Sequence, residues 1–199
     1  MTIRWPTQHN IDESKARNTK VSVTNNVRQG KDSLVIRDAR PEESDRVSLL
    51  LRDAYLEYKE HFPPGRWELY LEDMMDVRSR LGDAELIIAE LRGRMAGAVT
   101  LYLDGSRSGQ EGWPAGWAYI RLLAVHPSYR GQGIGRALME ECIRRCRKHS
   151  IKMVALHTAE IMGIARKMYE SMGFVRAREY DFYPAPGTVV EAYRLQLSG

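Results

Sequence analysis

Arg130-Gly131-Gln132-Gly133-Ile134-Gly135-Arg136 is the run whose residue types and spacing speak most directly of chemistry. Glycines at alternate positions let a backbone approach a ligand closely, because no Cβ stands in the way. The run falls between an apolar strand candidate, 118–125, and a strongly helical stretch, 134–149. Its successive N–H groups therefore sit at a helix start and form an anion cradle, to which the helix dipole adds. Arg130 and Arg136 flank that cradle. The chemistry expected is phosphate binding, a pyrophosphate first. A dinucleotide fingerprint counted from Gly131 needs a third glycine where Arg136 stands. A P-loop needs Gly-Lys-Ser/Thr after four spacer residues, which the chain lacks. An ordinary strand–helix turn uses the same glycines, and on spacing alone both readings stand.

The elements that must position this run are legible from periodicity. A short apolar strand is expected at 34–36, then a helix over 41–60, opened by Pro41 and early acids. Val47, Leu50, Leu51, Ala54, Tyr55 and Tyr58 recur there at helical spacing. Pro63-Pro64-Gly65 breaks the chain before a second helix, 67–81. Strands at 85–91 and 95–103 join through Arg92-Gly93-Arg94 as a hairpin. A glycine-rich loop, 104–117, leads to the strand 118–125. The helix 134–149 carries Ile134, Leu138, Cys142 and Cys146 as its stripe, with a basic last turn that suits its dipole. A buried strand at 153–156, a short helix at 165–172 closed by Gly173, and strands at 174–182 and 189–197 complete the chain. The order β α α β β β α β α β β indicates α/β with a mixed sheet.

The chain has 199 residues, enough for one domain plus an arm. Hydrophobic residues make up 43% and charged residues 28%, which excludes a disordered chain, a collagen and a disulfide-rich mini-protein. No apolar run reaches the ~18 residues of a membrane span, and the first thirty residues lack the apolar region of a secretory signal. Residues 1–33 are polar and aperiodic and read as an N-terminal arm, with Trp5 as a surface anchor. The net charge is +4, too mild to imply nucleic acid. Its placement says more: from 121 to 152 stand Arg121, Arg130, Arg136, Arg144, Arg145, Arg147, Lys148 and Lys152 against Glu140 and Glu141. Such a stretch favours an anionic ligand or makes a solvated helix face. Cys142 and Cys146, four apart on one helix, lack disulfide geometry and zinc spacing and read as small core residues. A cytoplasmic location and no metal are expected.

Two segments together resemble a known family. Leu122-Leu123-Ala124-Val125-His126-Pro127-Ser128-Tyr129-Arg130-Gly131-Gln132-Gly133-Ile134-Gly135 is similar to the acetyl-CoA motif of the GCN5-related N-acetyltransferases, Arg/Gln-x-x-Gly-x-Gly/Ala after an aliphatic strand and a proline. Ala165-Arg166-Lys167-Met168-Tyr169-Glu170-Ser171-Met172-Gly173-Phe174 resembles the family's second signature, Ala-x-x-Leu-Tyr-x-x-x-Gly-Phe, at the expected separation. The resemblance covers 34–197 and implies a domain over 34–199. It implies a mixed, mostly antiparallel sheet of about seven strands flanked by about four helices, with a splayed strand pair at the coenzyme A site. It also implies acetyl transfer from acetyl-CoA to a primary amine by direct attack. Leu123, Ala124 and Val125 would pair with the pantetheine arm. Arg130, Gly131, Gln132, Gly133, Ile134, Gly135 and Arg136 would hold the pyrophosphate. Tyr169 would protonate the leaving thiolate, a role suited to a hydroxyl of pKa about 10. The alternative is a non-catalytic coenzyme A-binding or sensory module.

The sequence departs from the family pattern twice. Arg121 stands where many members carry a glutamate base, and it cannot accept a proton. It is expected to contact an anionic part of the substrate or a neighbouring carboxylate. Met162 stands where many members carry an asparagine. The base is therefore unassigned, with His157, Glu160, Glu111 and Asp104 as candidates, or an amine that arrives deprotonated or loses its proton through a water chain. Trp113, Trp117, Tyr119, Phe182 and Tyr183 line an acceptor pocket or pack in the core. The acceptor is an amine-bearing small molecule or protein. No nucleic-acid or membrane partner is expected, while the C-terminal strands and Trp5 offer surfaces for a homodimer.

Overall fold

The computed structural model describes residues 33–109, 112–185 and 187–198. The expected arm, but for Ser33, lies outside the described residues, as do Glu111 and Pro186. No described helix is long and apolar enough to cross a membrane.

Alternating apolar residues build one open sheet. Strand β1 (Leu34–Asp38) pairs antiparallel with β2 (Glu85–Leu91), β2 with β3 (Arg94–Tyr102), and β3 with β4 (Ala118–Val125). Helix α3 (Ile134–Lys148) then crosses over, so β5 (Met153–Ala159) lies parallel to β4. Strand β8 (Thr188–Gln196) pairs antiparallel with β5, and both β6 (Val175–Arg176) and β7 (Phe182–Ala185) pair with β8. The order is β1-β2-β3-β4-β5-β8-β6 with β7 off this path on β8, eight strands among the described residues, mostly antiparallel.

Helices cover both faces because the inner strands are apolar on both. Helices α1 (Ser44–Tyr55) and α2 (Arg66–Met75) bury Val47, Leu51, Trp67 and Met74 against Ile88, Ala98 and Leu122. Helices α3 and α4 (Gly163–Ser171) cover the other face, where Leu138, Cys142, Cys146 and Tyr169 meet Ile87, Leu101 and Ile120. The two cysteines are free and fully buried. The α1 entry is fixed by a buried ion pair. Glu43, 2% exposed, accepts from the guanidinium groups of Arg37 and Arg40. Those hydrogen bonds, Arg37's first, hold its carboxyl well below the usual carboxylate range.

Strand β5 runs three residues past the expected 153–156, and three further elements differ from the periodicity. The first helix opens with a 3-10 turn, Pro41–Glu43, and after Tyr55 tightens into another 3-10 helix, Leu56–His61. The second helix stops at Met75 rather than 81. Its last carbonyls are taken by side chains: Ser48 Oγ donates to Met75, and the Arg80 guanidinium to Met74 and Asp73. With those orphans satisfied, Asp76 leaves the helix at ψ 64°. The expected single strand 174–182 is instead β6, a 3-10 turn at Arg178–Tyr180, and β7. There the Asp181 carboxylate accepts from Arg176 and from the Ala192 N–H, so a side chain ties this segment to β8 where a backbone ladder would otherwise run.

Candidate active site

The site begins where β4 and β5 part. They pair only over Ala118–Ile120 and Val154–Leu156. Beyond, β4 continues to Val125 and β5 to Ala159 without a pairing between them, which leaves a wedge. A bulge in β4 coincides with the parting. Between the pairs Thr100–Arg121 and Ala98–Ala124, β3 advances two residues and β4 three. The extra residue is accommodated with Leu122 at φ 55°, a left-handed conformation that costs about 1–2 kcal/mol for a residue with a Cβ. Burial of Leu122 against α1 and α2 holds it there. Past the bulge, Leu123 and Val125 are half-buried and Ala124 is buried. The Tyr55 hydroxyl donates to the Leu123 carbonyl at 3.2 Å.

The glycine run follows the end of β4. Pro127–Tyr129 makes a 3-10 turn, and Gly131 and Gly133 sit at φ 75° and 76°, where only glycine is unstrained. Gly133 is the N-cap of α3. No side chain caps that helix start, and its first turn holds no acid. Its leading N–H groups are thus left for a ligand. Gly131, Gln132 and Gly133 are exposed, and a Cβ on either glycine would meet nothing within 4 Å. Ile134 is buried and anchors the turn. Gly135 lies where a Cβ would touch Val125 at 3.6 Å and Met168 at 3.7 Å, so α4 adjoins the start of α3. Arg136 is exposed beside Ser171. The Arg130 guanidinium turns toward the C-terminal end of α1 and the end of β4, bonding Glu57 and the carbonyls of Ala54 and Val125. An uncapped helix start, two open left-handed glycines and Arg136 fit a diphosphate.

Tyr169, on α4, is 6% exposed and packs beside Phe174. Burial pushes its phenol well above the ordinary value of 10, and Tyr58 and Tyr119 lie near enough to act on it. Across the sheet, a cavity of about 200 Å³ opens between α1, α2, the parted ends of β4 and β5, and the β7–β8 hairpin. Tyr55, Tyr70, Tyr119, Arg121, Leu122, His157, Met162 and Phe182 are among its lining residues. Leu122 and Tyr55 thus belong to both the cavity wall and the wedge.

The base candidates fare unequally. The His157 ring places Nε2 3.0 Å from the Tyr180 carbonyl, which makes Nε2 the donor and Nδ1 the acceptor facing the Tyr119 hydroxyl at 3.3 Å. Burial lowers its pKa to about 4. Both ring nitrogens are engaged, and the ring has little appetite for a proton. Glu160 is exposed and lies off the cavity lining. Asp104 caps the Gly105–Arg107 turn and lines a separate groove with Asp83 and Arg107. Arg121 takes the neighbouring carboxylate: it pairs with Asp73, to which Arg80 also lies close at 3.6 Å.

Of the expected aromatics, Tyr119 and Phe182 line the cavity. Trp113 and Trp117 pack behind them with Tyr180, and Tyr183 is exposed. The α1–α2 contributors Tyr55, Phe62 and Tyr70 were not expected. Their sequence signal is faint: aromatic residues around Pro63-Pro64-Gly65 that also read as helix-packing groups.

Solved structures share this framework. A PaiA N-acetyltransferase from Thermoplasma acidophilum in complex with coenzyme A superposes with a TM-score of 0.66 at 16% identity, over 83% of this chain and 99% of that one. YncA, described as a putative acetyltransferase from Salmonella typhimurium with its cofactor acetyl-CoA, gives a TM-score of 0.57 at 16% identity, over 83% and 94%. The fold is that of the N-acetyltransferases. The chain belongs to the acetyltransferase (GNAT) family, whose model matches residues 48–174. Among curated relatives, a mycothiol acetyltransferase from Thermobispora bispora is 30% identical over 121 residues, 60% of this chain and 39% of that protein. N-alpha-acetyltransferase 30 from Saccharomyces cerevisiae is 35% identical over 80 residues, 40% of this chain and 44% of that protein. The chain spans less than half the length of either relative.

Proposed function

We propose that the protein transfers an acetyl group from acetyl-CoA to a primary amine by direct attack. One observation carries the reading: the wedge opened at Leu122 joins an uncapped helix start on one side to a separate cavity on the other. The N–H groups of 131–136 would hold the diphosphate, and the edge of Leu123-Ala124-Val125 that β5 leaves unpaired would align the pantetheine arm as an added strand. When bound, acetyl-CoA supplies the activated acyl group. The amine would enter from the cavity beside Tyr119 and Arg121. Holding both reactants at one wedge removes the entropic cost of their meeting.

Among the described residues no carboxylate lines the cavity, His61 lines it but is exposed, and His157 is held neutral with both nitrogens engaged. This arrangement supports an amine that arrives as the free base. Tyr169 would donate a hydrogen bond to the sulfur as negative charge develops there. Its raised pKa makes outright loss of the proton to a thiolate uphill, so stabilisation by the hydrogen bond is its main contribution.

Two measurements on the full chain test the reading: calorimetry with coenzyme A, and release of free thiol from acetyl-CoA with a panel of primary amines. Binding and amine-dependent thiol release are expected. Binding without release favours the non-catalytic module, and absence of binding overturns both.

A further inference from the structure

We infer that the acceptor amine also carries a carboxylate, and that Arg121 at the cavity wall receives it. The inference rests on the acetyl-transfer reading of the site and names the class of its second substrate.

Charge bookkeeping in the cavity points to an anion. Among the described residues its lining includes Arg121, Arg66, His61 and His157, and no aspartate or glutamate. Arg121 is deeply placed, its side chain 11% exposed, and its carboxylate partner is Asp73. That carboxylate is shared with Arg80, whose side chain is 8% exposed. Two guanidinium groups around one carboxylate leave one positive charge in excess. Asp76 also acts on Arg80 but is itself exposed and bonded to Ser79. The neutral His157 and the phenols of Tyr70, Tyr102 and Tyr119 surround Arg121 without cancelling its charge.

A buried charge in excess is unfavourable unless a counter-charge reaches it. Arg121 has donors to offer. A guanidinium carries five N–H groups in a planar fork. The contacts made among the described residues are with Asp73 and the Tyr102 hydroxyl. A ligand carboxylate matches both the fork and the single excess charge.

The test uses two probes of nearly equal shape that lack the amine, phenylacetate and phenylacetamide, titrated calorimetrically into the full chain with and without saturating coenzyme A. The acid is expected to bind at least tenfold more tightly than the amide. Arg121→Met keeps the aliphatic stem and leaves Asp73 to Arg80 as a neutral pair, and should shrink that preference below threefold. Asp73→Asn adds a net positive charge and should widen it. Equal binding of acid and amide by the wild-type chain overturns the inference whether or not either variant folds. The proposed acetyl transfer is judged separately by thiol release, so either idea can fail alone.

Discussion

Gly133→Ala, paired with Gly65→Ala, separates folding from ligand binding. The two glycines are matched. Each is the N-cap of a helix, α3 and α2, at φ 76° and 74°. A Cβ at either would meet nothing within 4 Å. Both substitutions therefore cost stability through the same left-handed backbone, about 1–2 kcal/mol each. At about 2–4 °C per kcal/mol for a chain of this size, both variants should melt a few degrees lower than the wild type, by similar amounts. Their coenzyme A affinities should part. Gly65 starts α2, away from the glycine run, and its variant should bind coenzyme A normally. At Gly133 the added methyl group occupies space that is empty in the free protein and taken by the diphosphate in the proposed complex. A loss of tenfold or more, about 1.4 kcal/mol, is expected in calorimetric titration. Equal affinity in the two variants, whether normal or lost, would refute the assignment of the cradle to 131–136.

Tyr169→Phe preserves the ring packed near Phe174 and removes the donor. Single-turnover acetyl transfer should fall about 10²-fold or more with little change in coenzyme A affinity; a wild-type rate returns Tyr169 to a packing role. For an amine that arrives as the free base, log kcat/KM should rise with unit slope up to the acceptor's own pKa, and a plateau beginning near pH 6.5 would indicate a side-chain base instead. His157 sets the acid limit of stability. Its pKa is about 4 in the fold against about 6.5 unfolded, so below pH 6.5 the unfolded chain takes up the proton first. Stability should be flat above pH 6.5 and fall by roughly 2 kcal/mol between pH 6.5 and 5. Urea melts of the wild type and His157→Gln should show that slope only in the former; parallel slopes refute it.

The coenzyme side of the site was legible in the sequence because it is local. The glycine run and the bounds of β4 follow from neighbouring residues, and the expected strand 118–125 coincides with Ala118–Val125. The acceptor side was not, because it is assembled from four distant segments that meet only in the fold. Nothing near Arg121 announces Asp73, 48 positions away, or Arg80 behind it. The bulge was hidden for another reason. Leu122-Leu123-Ala124-Val125 is apolar throughout, so no alternation existed to reveal a skipped beat. The helix end at Met75 and the break after Arg176 were likewise set by side chains from elsewhere, Ser48 and Arg80 in one case, Asp181 in the other.

The extra residue in β4 also governs which changes this chain can inherit. Tyr119 and Arg121 face the α1–α2 side before the bulge, and Leu122 and Ala124 face that same side after it. The two sets are in opposite phase, and a single residue reconciles them. Substitution at any of these positions alters one contact. Deletion of the extra residue between Arg121 and Ala124 would return the strand to plain alternation with Tyr119, Arg121 and Ala124 still on the α1–α2 side, and would remove the bulge that coincides with the parting of β4 from β5. When distant relatives are aligned to this chain, a one-residue gap within 121–124 marks a strand without the bulge, and a gap elsewhere in 118–125 breaks the register.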